Sequence, residues 1–588
     1  MYLTRRQFLS LLNAAAVAGI LPSSRGLKAG RSTDVYEVPK KGNVRLLHIT
    51  DCHAQLLPVY FREPSVNIGV GNARGKAPHL VGTHLLDRFD LNPANRMAVH
   101  AFTFLDFIDA AKKFGKVGGF AHLCTLVKKL RHEFGEENTL LLDGGDTWQG
   151  SGTAYWTRGR DMVNACNLLG VDVMTGHWEF TYHDKEVMEN IQAFNGEFIA
   201  QNVKLTEEGF FEGQPAHDET TGHIFKPYTI KELGGVRIAV IGQAFPYTPI
   251  ANPRRFIPYW SFGIRDDEMQ KVVNAIHENE KPAAVVLISH NGMDVDLKMA
   301  SRVTGLTAIF GGHTHDGVPQ AVEVNNANGV TLVTNAGSNA KFLGVMDLDI
   351  KNNRVSGYSY RLLPVFSNLL DADPEMSAYI EKVRNPYLDR LEDKLGVADS
   401  LLYRRGNFNG SFDQVICDAL IEQLDTQIAL SPGFRWGVSV LPGDDITMEH
   451  VLTQTCMTYP ETYTSGMSGE TIKLILEDVC DNLFNPDPYY QQGGDMVRLG
   501  GMNYVCDPTA SAGNRISDMT LDSGEKIEAN KTYQVAGWAT VGSKSQGPPV
   551  WDVVAQYIRE HKSIRISRLN TPKLKNLGAN PGISDYRV

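Results

Sequence analysis

A two-domain α/β protein is the fold class that the sequence predicts, and three observations predict it. Apolar runs of strand length recur through the first 370 residues and alternate with helix-length segments, an order of α/β layers. Most of these runs stop at a polar, glycine-rich triplet, the position where such folds carry their chemistry. Near Leu370 the pattern gives way to a polar stretch of helical period, and new strands and helices follow. The 588-residue chain has room for two or more cores.

Composition excludes several classes. It is ordinary for a globular protein, which sets aside collagen, coiled coil and disorder. There are 57 basic and 67 acidic residues, a net charge of -10, and no basic patch, so nucleic acid is not an expected partner. The 7 cysteines are scattered without a CxxC pair, which argues against a thiolate zinc site and a disulfide scaffold.

Residues 1–30 read as an export leader. Thr4-Arg5-Arg6-Gln7-Phe8-Leu9 matches the twin-arginine pattern, an apolar run from Phe8 to Leu21 follows, and Leu27-Lys28-Ala29 offers a small-residue cleavage site. The mature protein is expected in the periplasm, exported already folded and metallated. No other run approaches a membrane span.

A first domain is expected over residues 43–370. Its opening strand, Asn43 to Thr50, closes on Asp51-Cys52-His53, where an Asp and a His two apart can turn toward one metal ion. Residues 54 to about 115 form an insertion too long for an ordinary connection; it either shapes the mouth of a site or is decoration. A helix is expected to open at Gly118-Gly119 and run through Leu130. The strand Thr139 to Leu142 then leads into Asp143-Gly144-Gly145-Asp146, whose glycines permit a sharp turn and whose Asp146 is placed to bridge two ions. Val171 to Met174 delivers Gly176-His177-Trp178-Glu179-Phe180. Ala283 to Ile288 delivers Ser289-His290-Asn291, and Leu306 to Phe310 delivers Gly311-Gly312-His313-Thr314-His315. Five such stretches at strand ends point to a two-metal centre. A linker helix is expected over 371–396 and a second domain over 397–570, including a helix to Leu424 capped near Gly410, a strand at Gln427 to Leu430 and a helix from Gly469 to Leu483.

These residues together resemble the metallophosphoesterase superfamily, in its 5'-nucleotidase branch, and within that branch the SoxB thiosulfohydrolase family. The resemblance implies an N-terminal four-layer α/β/β/α sandwich and a C-terminal 5'-nucleotidase-type domain. Carried over by motif, Asp51, His53, Asp146 and His315 match the ligands of one metal, and Asp146, His177, His290 and His313 those of the other. Manganese is the implied ion, with zinc or iron compatible with the same donors. The nucleotidases carry Gly-Asn-His-Glu/Asp where this chain has Gly176-His177-Trp178-Glu179, so their ligand Asn becomes His177, their catalytic His becomes Trp178, and the Asp usually paired with that His falls at Thr181. A poor alkoxide leaving group should then be hard to expel, whereas a sulfur leaving group needs little protonation.

The implied substrate is a cysteine S-thiosulfonate on the SoxYZ carrier, attacked by a hydroxide held between the ions. Asp146, His177, Trp178 and Arg435 are the expected catalytic residues. Arg435 follows a Ser-Pro-Gly turn where the nucleotidases place a substrate-binding Arg, and Arg498 is a second candidate substrate cation. Glu179 and His183 are candidate proton donors. Cys52 is expected as a core filler, with reaction toward sulfane sulfur as the alternative reading. Tyr459 with Tyr463, and Trp436 with Tyr504, could line a channel or pack the domain. A 5'-nucleotidase or related phosphoesterase is the rival function.

Overall fold

The computed structural model describes residues 35–542 and 544–584. The expected twin-arginine leader therefore lies outside the described residues. Twelve strands build two six-stranded sheets. They are β1 (Val44–Ile49), β2 (Thr139–Asp143), β3 (Val173–Met174), β4 (Glu197–Phe198), β5 (Tyr228–Leu233), β6 (Val236–Gln243), β7 (Ala284–Ser289), β8 (Ala308–Gly311), β9 (Val322–Asn326), β10 (Gly329–Asn335), β11 (Phe342–Lys351) and β12 (Arg354–Pro364). The first sheet has the order β12–β11–β1–β2–β3–β4 and the second β9–β10–β8–β7–β6–β5. Strands β1 to β4 are mutually parallel, as are β6, β7, β8 and β10.

Both faces of each sheet are covered, which is why the central strands read as unbroken apolar runs. Leu46, Leu142 and Met346 of one sheet meet Val240, Ile288 and Phe310 of the other to form the inner core. Leu47, Leu141 and Met174 face outward onto α1 (Phe120–Phe134) and α2 (Arg160–Leu169). Ile241, Leu287 and Ile309 pack outward onto α3 (Asp266–Ala275) and α4 (Met293–Arg302). The result is the four-layer α/β/β/α sandwich.

Register decides where the chemistry sits. Ile49 pairs with Asp143, and Asp143 with Met174, so β1, β2 and β3 end level with one another. Gln243 pairs with Ser289 and Ser289 with Gly311, so β6, β7 and β8 also end level. All these ends are carboxyl ends, where parallel sheets present their loops to a ligand.

The 54–115 insertion folds into three short helices over Thr83–Arg88, Arg96–Phe102 and Phe107–Phe114. It has its own apolar cluster, in which Phe102 stacks on Phe342 at 5.1 Å. Asn67 donates to Asp316, the Ile68 amide donates to Asn407, and His79 pairs with Asp294 at 2.8 Å. The insertion thus braces the loop that carries His313 and His315.

Beyond β12, α5 (Pro374–Arg384) starts on an Asp373 cap with proline in its first turn. Then come α6 (Ser411–Gln423), β13 (Ile428–Ser431), β14 (Thr462–Ser468), α7 (Gly469–Phe484), β15 (Arg498–Gly500), β16 (Met502–Cys506), β17 (Thr532–Trp538) and α8 (Val550–His561). A four-stranded sheet has the order β14–β17–β13–β15. Among the described residues no helix is long and apolar enough to cross a membrane.

Candidate dimetal centre

The loops after β1 and β2 are zipped together by backbone hydrogen bonds. The Asp51 amide donates to Gly145, His53 to Asp146 and Ala54 to Thr147, at 2.8, 2.8 and 3.1 Å. Gly145 has φ +93, and a Cβ there would meet Gly176 and the Thr175 carbonyl at 3.0 Å, so only glycine fits comfortably. Asp51, His53, Asp146, His313 and His315 all hold φ between 45 and 70. Each such non-glycine backbone costs about 1–3 kcal/mol, a cost that clusters at functional sites.

Seven side chains converge from these loops. Asp51, His53, Asp146 and His315 form one group that could hold a metal ion; Asp146, His177, His290 and His313 form a second. The ligand-type atoms within each group lie within 4.8 Å of one another, and Asp146 belongs to both. Its Oδ2 lies 2.9 Å from His290 Nε2 and 3.2 Å from His177 Nδ1. His53 Nε2 and His315 Nε2 face each other at 3.1 Å, and Asp51 Oδ1 is 3.2 Å from His315 Nε2.

The residues fit metal ions chemically as well as geometrically. The centre gathers two carboxylates and five imidazoles, a donor set suited to divalent ions, and His53 Nε2 and His315 Nε2 face each other at 3.1 Å, where at most one of them can carry a proton. Burial first, and neighbouring imidazoles and arginines next, hold His313 and His315 well below the ordinary histidine value, while burial pushes His53 down to about 4. These three are neutral and ready to donate a lone pair. His290 differs: burial pushes it down, but Asp146 and Asp51 outweigh that and raise it to about 10. Burial would raise Asp146, but His177 and His290 hold it well below the usual carboxylate range. The orientation of His290 is fixed from behind, because its Nδ1 lies 2.7 Å from the Gly144 carbonyl, which turns Nε2 toward the centre. Two histidine–aspartate clusters sharing Asp146 fit a dimetal site.

Glu179 was a candidate proton donor, and its surroundings give it another task. Fully buried, it accepts from the backbone amides of Asp146, Thr147, Trp148 and His177, at 3.2, 2.8, 3.1 and 2.8 Å. The carboxylate ties the bridging loop to the His177 loop and is saturated by that work. His183 stacks on Phe256 at 4.0 Å and does not line the pocket. Cys52 is buried in the outer core, with its thiol pushed well up by burial, as suits a packing residue.

A cavity of about 180 Å³ opens beside the clusters, walled by Trp178, Phe245, Phe434, Arg435 and Trp436. Trp178 meets Phe434 and Trp436 edge-on at 5.5 and 5.4 Å, and Phe434 stacks on Trp436 at 4.2 Å. Trp178 thereby joins the His177 loop to the C-terminal core. Its own amide donates to Asp146 Oδ1 at 2.7 Å, so the backbone of this residue steadies the shared carboxylate. Thr181, where the nucleotidases carry an Asp, is bonded to Thr458 at 2.5 Å.

Arg435 lies in the pocket wall. Its guanidinium donates to the His313 and Gly494 carbonyls and faces Asp495. Arg498 does not line the pocket, which corrects its reading as a substrate cation. It is fully buried, donates to the Gly406 carbonyl and to Asp495, and faces Asp413, so it has no path to a ligand. Of the aromatic pairs, only Trp436 reaches the pocket; Tyr459, Tyr463 and Tyr504 do not line it.

Three contributors were not visible as site residues in the sequence. Phe245 is wedged between His177 and His313, at 4.1 and 4.2 Å from their rings. Phe434 makes one wall. The strap Gln491 to Asp495 crosses the pocket so closely that a Cβ on Gly493 would lie 2.0 Å from His313 Nε2. The double glycine Gly493-Gly494 was the one available signal.

Residues 396–555 match the family model described as the 5'-nucleotidase C-terminal domain. That match, the α/β/β/α sandwich and the shared-aspartate centre define a class: a dimetal hydrolase of the 5'-nucleotidase branch of the metallophosphoesterase superfamily. Among solved structures, the chain is similar to the sulfate thiohydrolase SoxB of Thermus thermophilus, with 32% identity, a TM-score of 0.86, and coverage of 94% of this chain and 99% of that one. The chain belongs to the SoxB family. A 5'-nucleotidase precursor of Thermus thermophilus shares the fold at 20% identity, with a TM-score of 0.70 and coverage of 91% and 99%. The trifunctional nucleotide phosphoesterase YfkN of Bacillus subtilis is 26% identical over 475 residues, which span 73% of this chain but only 31% of that protein.

Proposed function

We propose that this protein is a thiosulfohydrolase of the periplasmic sulfur-oxidation system, acting on a cysteine S-thiosulfonate carried by SoxYZ. The observation that carries the reading is the absence of a spare proton donor: among the described residues, the ionisable groups lining the cavity are the candidate ligands, Arg435, Asp495 and Tyr247. Burial pushes the Tyr247 phenol up, and Arg435 with Arg498 outweighs burial to hold the Asp495 carboxyl down. An alkoxide leaves poorly from such a pocket, whereas a persulfide sulfur needs no proton.

Asp51, His53, Asp146 and His315 are proposed to hold one ion, and Asp146, His177, His290 and His313 the other; manganese is the proposed metal. When bound, the two ions supply Lewis acidity and a water of lowered pKa. The chain's own residues do the rest. Arg435 faces the sulfonate oxygens, and Trp178, Phe434 and Trp436 exclude bulk water and guide the sulfane chain. A water oxygen bonds to the sulfonate sulfur, the sulfur–sulfur bond breaks, sulfate departs, and the carrier keeps a persulfide anion. The two protons of the water pass to solvent. Residues 43–370 are proposed as the catalytic domain and 397–570 as the substrate-binding domain, joined by 371–396, with the leader at 1–30 directing twin-arginine export.

A nucleotidase would need a slot for a base, and the Phe434–Trp436 stack at 4.2 Å leaves none between those rings. The deciding experiment compares sulfate release from thiosulfonated SoxYZ with phosphate release from a nucleoside monophosphate. Sulfate release with little phosphate is expected. Rapid nucleotide hydrolysis without sulfate would overturn the reading in favour of a 5'-nucleotidase.

A further inference from the structure

The strap over the pocket is rooted at both ends by cysteine. Cys480 lies near the end of α7 and Cys506 at the end of β16. Both are buried in the same apolar cluster with Leu476, Tyr504 and Ile516, and their sulfurs are 3.7 Å apart. That separation is van der Waals contact between two thiols drawn from different elements. The contact with the Cys506 thiol, and then burial, push the Cys480 thiol well up; Arg515, held by Asp481 and the Phe484 carbonyl, opposes that shift without outweighing it, so the closed pair is held as thiols.

The segment between the two cysteines, 481–505, carries what closes the pocket. Asn482 lines the cavity. Asp487 pairs with Lys298, and Tyr247 donates to the Tyr489 carbonyl, which fastens the segment to the sandwich. Gly493 lies over His313, the Gly494 carbonyl holds Arg435, and Asp495 accepts from Arg498. From residue 485 to 497 this segment contains no strand and only a short 3-10 turn at Pro488–Tyr490, so its position depends on its anchors.

We propose that Cys480 and Cys506 form a disulfide under oxidising conditions, closing a covalent loop whose free part is the roof of the dimetal centre. The oxidant is an external disulfide of the glutathione or thiol-oxidoreductase class. A thiolate of the pair attacks it to give a mixed disulfide, and the second thiolate displaces the remaining oxidant thiol. The pair loses two protons and two electrons, one sulfur–sulfur bond forms, and the oxidant's own is reduced to two thiols. Because both sulfurs are buried, exchange requires the contact between α7 and β16 to open.

The test uses the full-length protein incubated with oxidised glutathione in urea sufficient to open the C-terminal region, returned to buffer, then denatured and alkylated. Five alkylated thiols and one peptide pair linked through Cys480 and Cys506 are expected, against seven thiols after reduction. Seven thiols in both samples, or a linkage through other cysteines, overturns the proposal. Limited proteolysis tests the roof separately. Oxidation is expected to slow cleavage within residues 485–495 several-fold, and Cys480→Ser and Cys506→Ser are each expected to abolish that dependence. Equal cleavage in both states overturns the role assigned to the loop.

Discussion

Replacing Glu179 by Ala should unravel the centre although Glu179 is not a candidate ligand. The carboxylate accepts four backbone hydrogen bonds, between 2.8 and 3.2 Å, from Asp146, Thr147, Trp148 and His177. Hydrogen bonds to a charged group contribute about 1.5–3 kcal/mol each. Four of them give a gross contribution of roughly 6–12 kcal/mol, offset by several kcal/mol for burying the charge. Burial, and then Asp146 beside it, push the Glu179 carboxyl up, the direction that such an offset requires. A net loss of about 3–5 kcal/mol is expected for Glu179→Ala, since four buried amides are left without an acceptor. That is a large share of the 5–15 kcal/mol that typically separates a folded domain from its unfolded chain. Glu179→Gln keeps the shape but turns an amide nitrogen toward donors, and should lose about half as much. Urea unfolding followed by tryptophan fluorescence measures the loss, and elemental analysis of the dialysed protein measures metal content. An unchanged unfolding midpoint with full metal content in Glu179→Ala would refute the role assigned to the cradle.

Asp146→Ala removes the ligand shared by both clusters and should lower metal content at both sites together, not one alone; elemental analysis showing full occupancy would contradict the sharing. Trp178→His restores the imidazole that phosphatases use, and at least a tenfold gain in turnover of p-nitrophenyl phosphate is expected, about 1.4 kcal/mol of barrier; no gain would remove the leaving-group argument. In the metal-free protein, His290 is raised to about 10 by Asp146 and Asp51. Its stabilising charge pair is therefore fully present below the ordinary histidine value and is lost as pH rises through about 10. Metal loading near neutral pH must expel that proton, so calorimetry in buffers of differing ionisation enthalpy should show about one proton released per chain; a heat independent of buffer would contradict it.

The candidate ligands were legible in the sequence because each follows a buried strand whose apolar run is unambiguous, and because level strand ends gather their loops at one edge. Asp51, His53, Asp146, His177, His290, His313 and His315 needed only that register to meet. The neighbours that discipline them were not legible, since their roles depend on partners far away in the chain. Glu179 looks like any acid after a Trp until the loop of residues 146–148 is laid across it. Arg498 looks like a free cation beside two glycines until Asp413 and Asp495 enclose it. Phe245 is one aromatic residue after a strand, and only the packing of both sheets makes it a wedge between two imidazoles.

The spread of the ligands along the chain has a further consequence. The first cluster takes residues from positions 51 and 315, and the second from 146 and 313, with β1, β2, β3, β7 and β8 from both sheets contributing. A nascent chain lacking the last of these strands can complete neither cluster. A complete set of four protein ligands at either cluster therefore requires strands of both sheets to have come together: Asp146 from the first sheet with His313 or His315 from the second.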